Sequence, residues 1–139
     1  MVEIQLAYEG NLRTSAIHEP SGTRLITDAP RDNQGQGESF SPTDLVATAL
    51  GSCMLTIMGI AARNFKIDLT GATVRVQKEM ITQPVRRIGK LTVEITVPKP
   101  LSADDQRRLR DAAMHCPVHK SLHPDVEIPV TFSFADMGR

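Results

Sequence analysis

The 139-residue chain is long enough to bury a core of its own and short for two ordinary domains, so a single domain over residues 1–139 is expected. Sixteen basic residues balance sixteen acidic ones, and one Tyr, four Phe and no Trp offer neither a basic patch nor a base-stacking surface, which excludes nucleic acid as an expected partner. Two cysteines without a basic, apolar leader argue against a secreted disulfide framework, and the expected location is cytoplasmic.

Ile4, Leu6 and Tyr8 alternate with their neighbours and predict a strand that ends near Glu9-Gly10. A second strand is expected from Leu12 to His18. The turn EPSG, Glu19 to Gly22, leads into a third, TRLITDAP, stopped by Pro30, so the three form an antiparallel meander. RDNQGQGESF follows, a Gly-rich polar loop with no period, long enough to border a site. Its GQGE segment, Gly35 to Glu38, reads as a flexible loop.

Ser41 to Arg63 carries no charge between Asp44 and Arg63, and Cys53 lies near its middle. Length alone would let such a run cross a bilayer. Thr48, Gly51, Ser52, Thr56 and Gly59 dilute it and no second span exists, so a membrane partner is not expected. A buried helix is the better reading. Ser41 suits the N-cap, Pro42 the first helical position and Asp44 the third, where its carboxylate completes a capping box, and the helix should run to about Asn64. Apolar on nearly all sides, it needs cover that one small sheet cannot provide, which predicts a homodimer with this helix inside. The small residues Gly51, Ser52 and Gly59 would let another helix or backbone approach closely.

Thr70 to Ile81 and Arg87 to Pro98 alternate with period two, giving two strands joined by a hairpin through Thr82 to Val85. Ser102 caps a second helix, with Asp104 and Asp105 in its first turn, Leu109, Ala112 and Ala113 inside and Arg107, Arg108 and Arg110 largely solvated. Pro117 ends or bends it. A last strand spans Val126 to Phe134, where Pro129 signals an edge or bulge. The pattern is α+β.

Cys53 and Cys116 are the two evident nucleophiles. Cys53 stands about three turns into its helix, beyond the reach of the helix dipole, so any cation that stabilises its thiolate must come from elsewhere. Arg13, Arg24 and Arg31 are the candidates, because a guanidinium stays charged and can hold a thiolate and a neighbouring oxygen together. An inert, buried core cysteine is the competing account of Cys53. Cys116, followed by Pro117, stands at a helix end or kink able to move, and a second thiol is what converts a sulfenic acid to a disulfide before over-oxidation. His115, Cys116, His119 and His123 also offer four metal donors within nine residues, but Pro117 interrupts them and no second Cys pair completes a zinc pattern, so no metal is expected. Phe40, Met54, Leu55 and Met58 are candidate apolar walls for a substrate, with core packing as their alternative role.

The stretch SPTDLVATALGSC, preceded by DAPRDNQGQGESF and followed some sixty residues later by HCPV, resembles the osmotically inducible protein C and organic hydroperoxide resistance superfamily, the OsmC-like proteins. The resemblance runs from Tyr8-Glu9-Gly10 to Phe134. It implies an OsmC-like fold, with antiparallel sheets wrapped around two long Cys-bearing helices of an intertwined homodimer and both subunits lining each active site. It further implies a thiol-dependent peroxidase in which Cys53 is the peroxidatic residue, Cys116 resolves it and an N-terminal arginine, best matched by Arg13, pairs with the thiolate.

The expected partners are then an organic hydroperoxide and a dithiol reductant of lipoyl-type or small-thiol class, with no organic or metal cofactor. In the better-studied branches a glutamate after the helix-starting proline holds the arginine. Here Thr43 follows Pro42, and Asp44, one residue on, points about 100 degrees away around the helix. Ser-Pro-x-acid-Leu is similar to a less characterised branch, and a non-enzymatic dimer that binds a small apolar or electrophilic ligand, or senses redox state, is the alternative function.

Overall fold

The N-terminal alternation resolves into three strands, β1 (Ile4–Gly10), β2 (Arg13–His18) and β3 (Arg24–Asp28), paired antiparallel in the order β1-β2-β3. The β2–β3 turn is the expected EPSG, closed by the His18 N–H donating to the Thr23 carbonyl at 2.9 Å, with Gly22 at φ +74 where a side chain would be strained. That turn fixes the register: Arg13 stands opposite Asp28, Thr14 opposite Thr27 and Ala16 opposite Leu25. The computed structural model describes residues 1–136, and these divide into two units, Met1–Val46 and the chain from Ala47 onward.

The Gly-rich loop is folded back on the end of β3. A 3₁₀ turn spans Arg31–Asn33. Gly35 N–H then donates to the Pro30 carbonyl and Gly37 N–H to the Ala29 carbonyl, while Asp28 N–H donates to the Phe40 carbonyl at 3.0 Å. Gly35 packs so tightly on Ala29 that an added Cβ would fall 1.7 Å from the Ala29 oxygen. The loop thus needs a glycine there for close approach, and its path returns Glu38 to the strand end.

Helix α1 (Pro42–Asn64) begins as its sequence predicts. Ser41 Oγ accepts from Asp44 N–H at 3.1 Å and Asp44 Oδ2 accepts from Ser41 N–H at 2.9 Å, a reciprocal capping box. Among the described residues it is the helix long and apolar enough to cross a bilayer. In the second unit its stripe Ala47, Leu50, Met54, Met58 and Ala62 is sealed in the core.

That core is laid against β4 (Thr73–Ile81) and β5 (Arg87–Pro100), an antiparallel pair. Every second residue of β5 from Leu91 through Val93 and Ile95 to Val97 is buried, as the period-two pattern requires. Full burial of each such side chain contributes about 1.5–3 kcal/mol. Gly51 is where α1 meets β4 most closely: a Cβ there would lie 2.9 Å from Val76 Cγ2, so the small residue admits a strand.

Helix α2 (Ala103–Met114) is capped by Ser102 Oγ and buries Leu109 and Ala113. Its arginines are less free than expected: Arg108 pairs with Asp105 at 2.8 Å and lies over the Phe65 ring, and Arg110 lies over Phe134. The helix ends at Met114, before the proline. A residue preceding proline is driven to extended backbone, and Cys116, at φ −62 and ψ 131, becomes the N-cap of a new short helix, α3 (Pro117–Ser121).

The last strand, β6 (Val130–Ala135), pairs with β5 in parallel, which departs from the expected all-antiparallel sheets. It also starts later than Val126. Glu127 and Pro129 carbonyls accept from Leu91 and Val93 N–H groups, but Pro129 has no N–H to return, so the regular ladder opens after it.

Candidate functional site

The two cysteines, 63 positions apart in sequence, are neighbours in the second unit. Cys53 is carried half-buried by α1 beside the sealed Met54 stripe, and Cys116 is fully buried at the start of α3; both thiols are free. Cys116 Sγ accepts the His119 N–H at 3.4 Å, and the Cys116 carbonyl accepts from Lys120 N–H, so the sulfur is held as a helix cap. Burial, followed by the adjacent Cys53 side chain, pushes the Cys116 thiol above its ordinary value, against the lowering effect of the His119 N–H. Cys116 is therefore a thiol that keeps its proton until a stronger demand removes it.

In the first unit, Arg13 is gripped by two carboxylates. Its Nη2 is 3.4 Å from Asp28 Oδ2 and 2.9 Å from Glu38 Oε2. The Asp28 side chain is completely buried, whereas Glu38 is 60% exposed. Asp28 Oδ2 also accepts the Glu38 N–H at 3.0 Å, and Asp28 Oδ1 is buried with no donor among the described residues. The Glu38 hydrogen bond, then the Asp28 charge, hold the guanidinium yet more firmly protonated than a free arginine. Asp28 and Glu38 were not among the sequence-derived candidates. The signal for Asp28 was the EPSG turn, whose register sets it opposite Arg13.

The other candidates fall differently. Arg24 is exposed on β3 opposite Ile17, and Arg31 spends its Nε on the Gln36 carbonyl at 3.1 Å. Phe40 is half-exposed and its carbonyl holds Asp28 N–H. Met54 and Met58 are corrected from substrate walls to core: both are fully buried against the sheet and offer no accessible surface. Asp44 is engaged in the capping box.

His115 Nδ1 lies 2.6 Å from the Asp111 carbonyl and His123 Nδ1 accepts from Asp125 N–H. Among the described residues no three His, Cys, Asp or Glu side chains converge as metal ligands. An open cavity of about 360 Å³ lies beside α3, lined by Met114, His119, Leu122, Val126 and Ile128 among others, a feature for which the sequence carried no signal.

The family model described as OsmC-like protein matches residues 35–131, a span that includes the Ser41 cap, both cysteines and Pro117. The chain belongs to the OsmC-like protein family. Among solved structures, a protein of Psychrobacter arcticus 273-4 named for an osmotic stress induced and detoxification response is 49% identical over 95% of this chain and 96% of its own, with a TM-score of 0.90. The organic hydroperoxide resistance protein OsmC of Legionella pneumophila shares the fold at 15% identity, 96% coverage of each chain and a TM-score of 0.76. An organic hydroperoxide resistance protein of Elizabethkingia anophelis does so at 14% identity, covering 97% of this chain and 96% of its own, with a TM-score of 0.77. A comparison with curated proteins finds no match. The OsmC-like fold, α+β with two three-stranded sheets and the Cys-bearing helix, thus agrees with what the SPTDLVATALGSC and HCPV segments implied.

Proposed function

We propose that this OsmC-like protein is a thiol-dependent peroxidase that reduces organic hydroperoxides. The observation that carries the reading is the pairing of a half-buried Cys53 with a buried Cys116 brought beside it from 63 positions away. Two adjacent free thiols, one of them a helix cap, are what a sulfenic acid and its resolving partner require.

The Cys53 thiolate attacks the terminal oxygen of the hydroperoxide, and the O–O bond breaks. The sulfur loses two electrons and becomes a sulfenic acid, while the alkoxide takes a proton and leaves as the alcohol. Cys116 then gives up its proton and attacks the Cys53 sulfur. The hydroxyl departs as water, and a disulfide remains. An external dithiol, lipoyl-type or small, reduces it by giving up two electrons and two protons, which restore the two thiols, and leaves as its own disulfide.

A cytoplasmic homodimer is part of the same reading. Ile4, Leu6 and Tyr8, 55–68% exposed, line one face of the first sheet, and Ile60 on α1 is 54% exposed. Apolar surface of that kind supports cover by a second copy.

Steady-state consumption of cumene hydroperoxide in the presence of dihydrolipoamide or dithiothreitol tests the activity. Turnover is expected for the native protein and lost in Cys53→Ser. Turnover that survives in Cys53→Ser would remove the proposal.

A further inference from the structure

A disulfide has two sulfurs, and a reducing thiolate attacks only one of them, expelling the other. In the Cys53 and Cys116 pair the two are unequal in access. Cys53 is half-buried on α1, whereas Cys116 is 0% exposed, packed in the core with Leu109 and Ala113. The open cavity beside α3 gives no back way in: Met114 and His119 line it without leaving any Cys116 surface in it.

Two effects bear on the choice of sulfur, and they oppose each other. Burial raises the Cys116 thiol, and a thiol that holds its proton more tightly is the slower leaving group, which would favour attack on Cys116 with Cys53 departing. That penalty is graded. The His119 N–H, which already donates to Cys116 Sγ at 3.4 Å, reduces it by holding the thiolate as it forms. Access is not graded, because a sulfur with no surface cannot be approached until the fold opens. Access therefore decides.

We propose that Cys53 is the sulfur through which every outside molecule acts, the reductant as well as the peroxide, and that Cys116 bonds to Cys53 alone. This rests on the peroxidase reading above. One thiol of the reductant loses its proton and its sulfur forms a bond to Cys53 Sγ. The bond between the two cysteines breaks, and its electron pair leaves on Cys116, which takes up a proton and returns to its place as the cap of α3. A mixed disulfide then stands on Cys53. The second thiol of the reductant loses its proton, attacks the bonded sulfur of its own molecule and expels Cys53 as a thiolate with the electron pair.

The test begins with protein oxidised by diamide, which joins thiol pairs without a peroxide. It is exposed briefly to excess 2-mercaptoethanol, a small monothiol with no second sulfur to release its adduct. Acid halts exchange, pepsin digests the chain at the same pH, and mass mapping locates the adduct. The adduct is expected on Cys53 over Cys116 in about tenfold excess or more, a barrier difference of about 1.4 kcal/mol or more. Protein unfolded in urea before the same treatment should carry the adduct on both cysteines.

An adduct on Cys116 in the folded protein, or an even division between the two, overturns the inference and leaves the peroxidase reading standing. A preference for Cys53 that persists unchanged in urea also overturns it, since the sealing of Cys116 by the fold would not then be its cause. Diamide that joins no Cys53 to Cys116 overturns the reading and the inference together.

Discussion

The Cys116 thiol caps helix α3 by accepting the His119 N–H at 3.4 Å, so the residue proposed to resolve Cys53 is also the residue that begins a helix. Disulfide formation would ask one sulfur atom to serve both roles. Cys116→Ser keeps a capping oxygen and removes the resolving sulfur. Its fold should remain, but peroxide treatment should leave Cys53 at sulfenic acid and then drive it to sulfinic acid, seen as mass gains in steps of about 16 Da instead of a disulfide.

The raised Cys116 thiol gives a pH signature. Because burial disfavours its thiolate, the folded protein holds this proton more tightly than the unfolded chain, in which the thiol titrates near 9.0. Above that value the unfolded state loses its proton first, so stability falls as pH rises towards the folded value. Urea midpoints should therefore decline on the alkaline side of about pH 9, and the decline should be smaller in Cys116→Ala. Disulfide formation, which needs the Cys116 proton removed, should accelerate over the same range.

Met54 and Met58 distinguish core from substrate wall. Each is fully buried in the cluster with Leu50 and the β5 residues. Met54→Leu should cost less than about 1.5 kcal/mol and Met54→Ala about 2–5 kcal/mol in chemical denaturation. Neither should alter the preference between an alkyl hydroperoxide and hydrogen peroxide.

Gly35 tests the loop that brings Glu38 to Arg13. A methyl group at this position would strike the Ala29 carbonyl, a backbone group that cannot rotate aside. Gly35→Ala should destabilise the protein by about 1–3 kcal/mol, and Gly59→Ala, whose added carbon meets nothing within 4 Å, should be close to neutral or stabilising.

Much of this was legible from local pattern. The Ser41 and Asp44 box, the period-two burial of β5 and the Ser102 cap follow from residue spacing alone, because each depends on neighbours a few positions away. Asp28 was within reach too. The EPSG turn pairs positions that sum to 41, and 13 pairs with 28, but the register has to be carried six residues back from the turn before the acid appears.

The parallel pairing of β6 with β5 was out of reach, since a strand's non-local neighbour leaves no trace in its own alternation. The thiol contact was equally hidden. Cys116 meets Cys53 because α2 stops before Pro117 and the chain extends through the cysteine, a tertiary consequence of where one helix ends.

The most direct test is to add a slight excess of cumene hydroperoxide to the reduced protein and follow free thiols and intact mass together. The account predicts rapid loss of both thiols and a mass decrease of about 2 Da, the two hydrogens given up on disulfide formation, with neither change in Cys53→Ser. Thiol loss no faster than that of a free cysteine, or a disulfide that forms without Cys53, would contradict it.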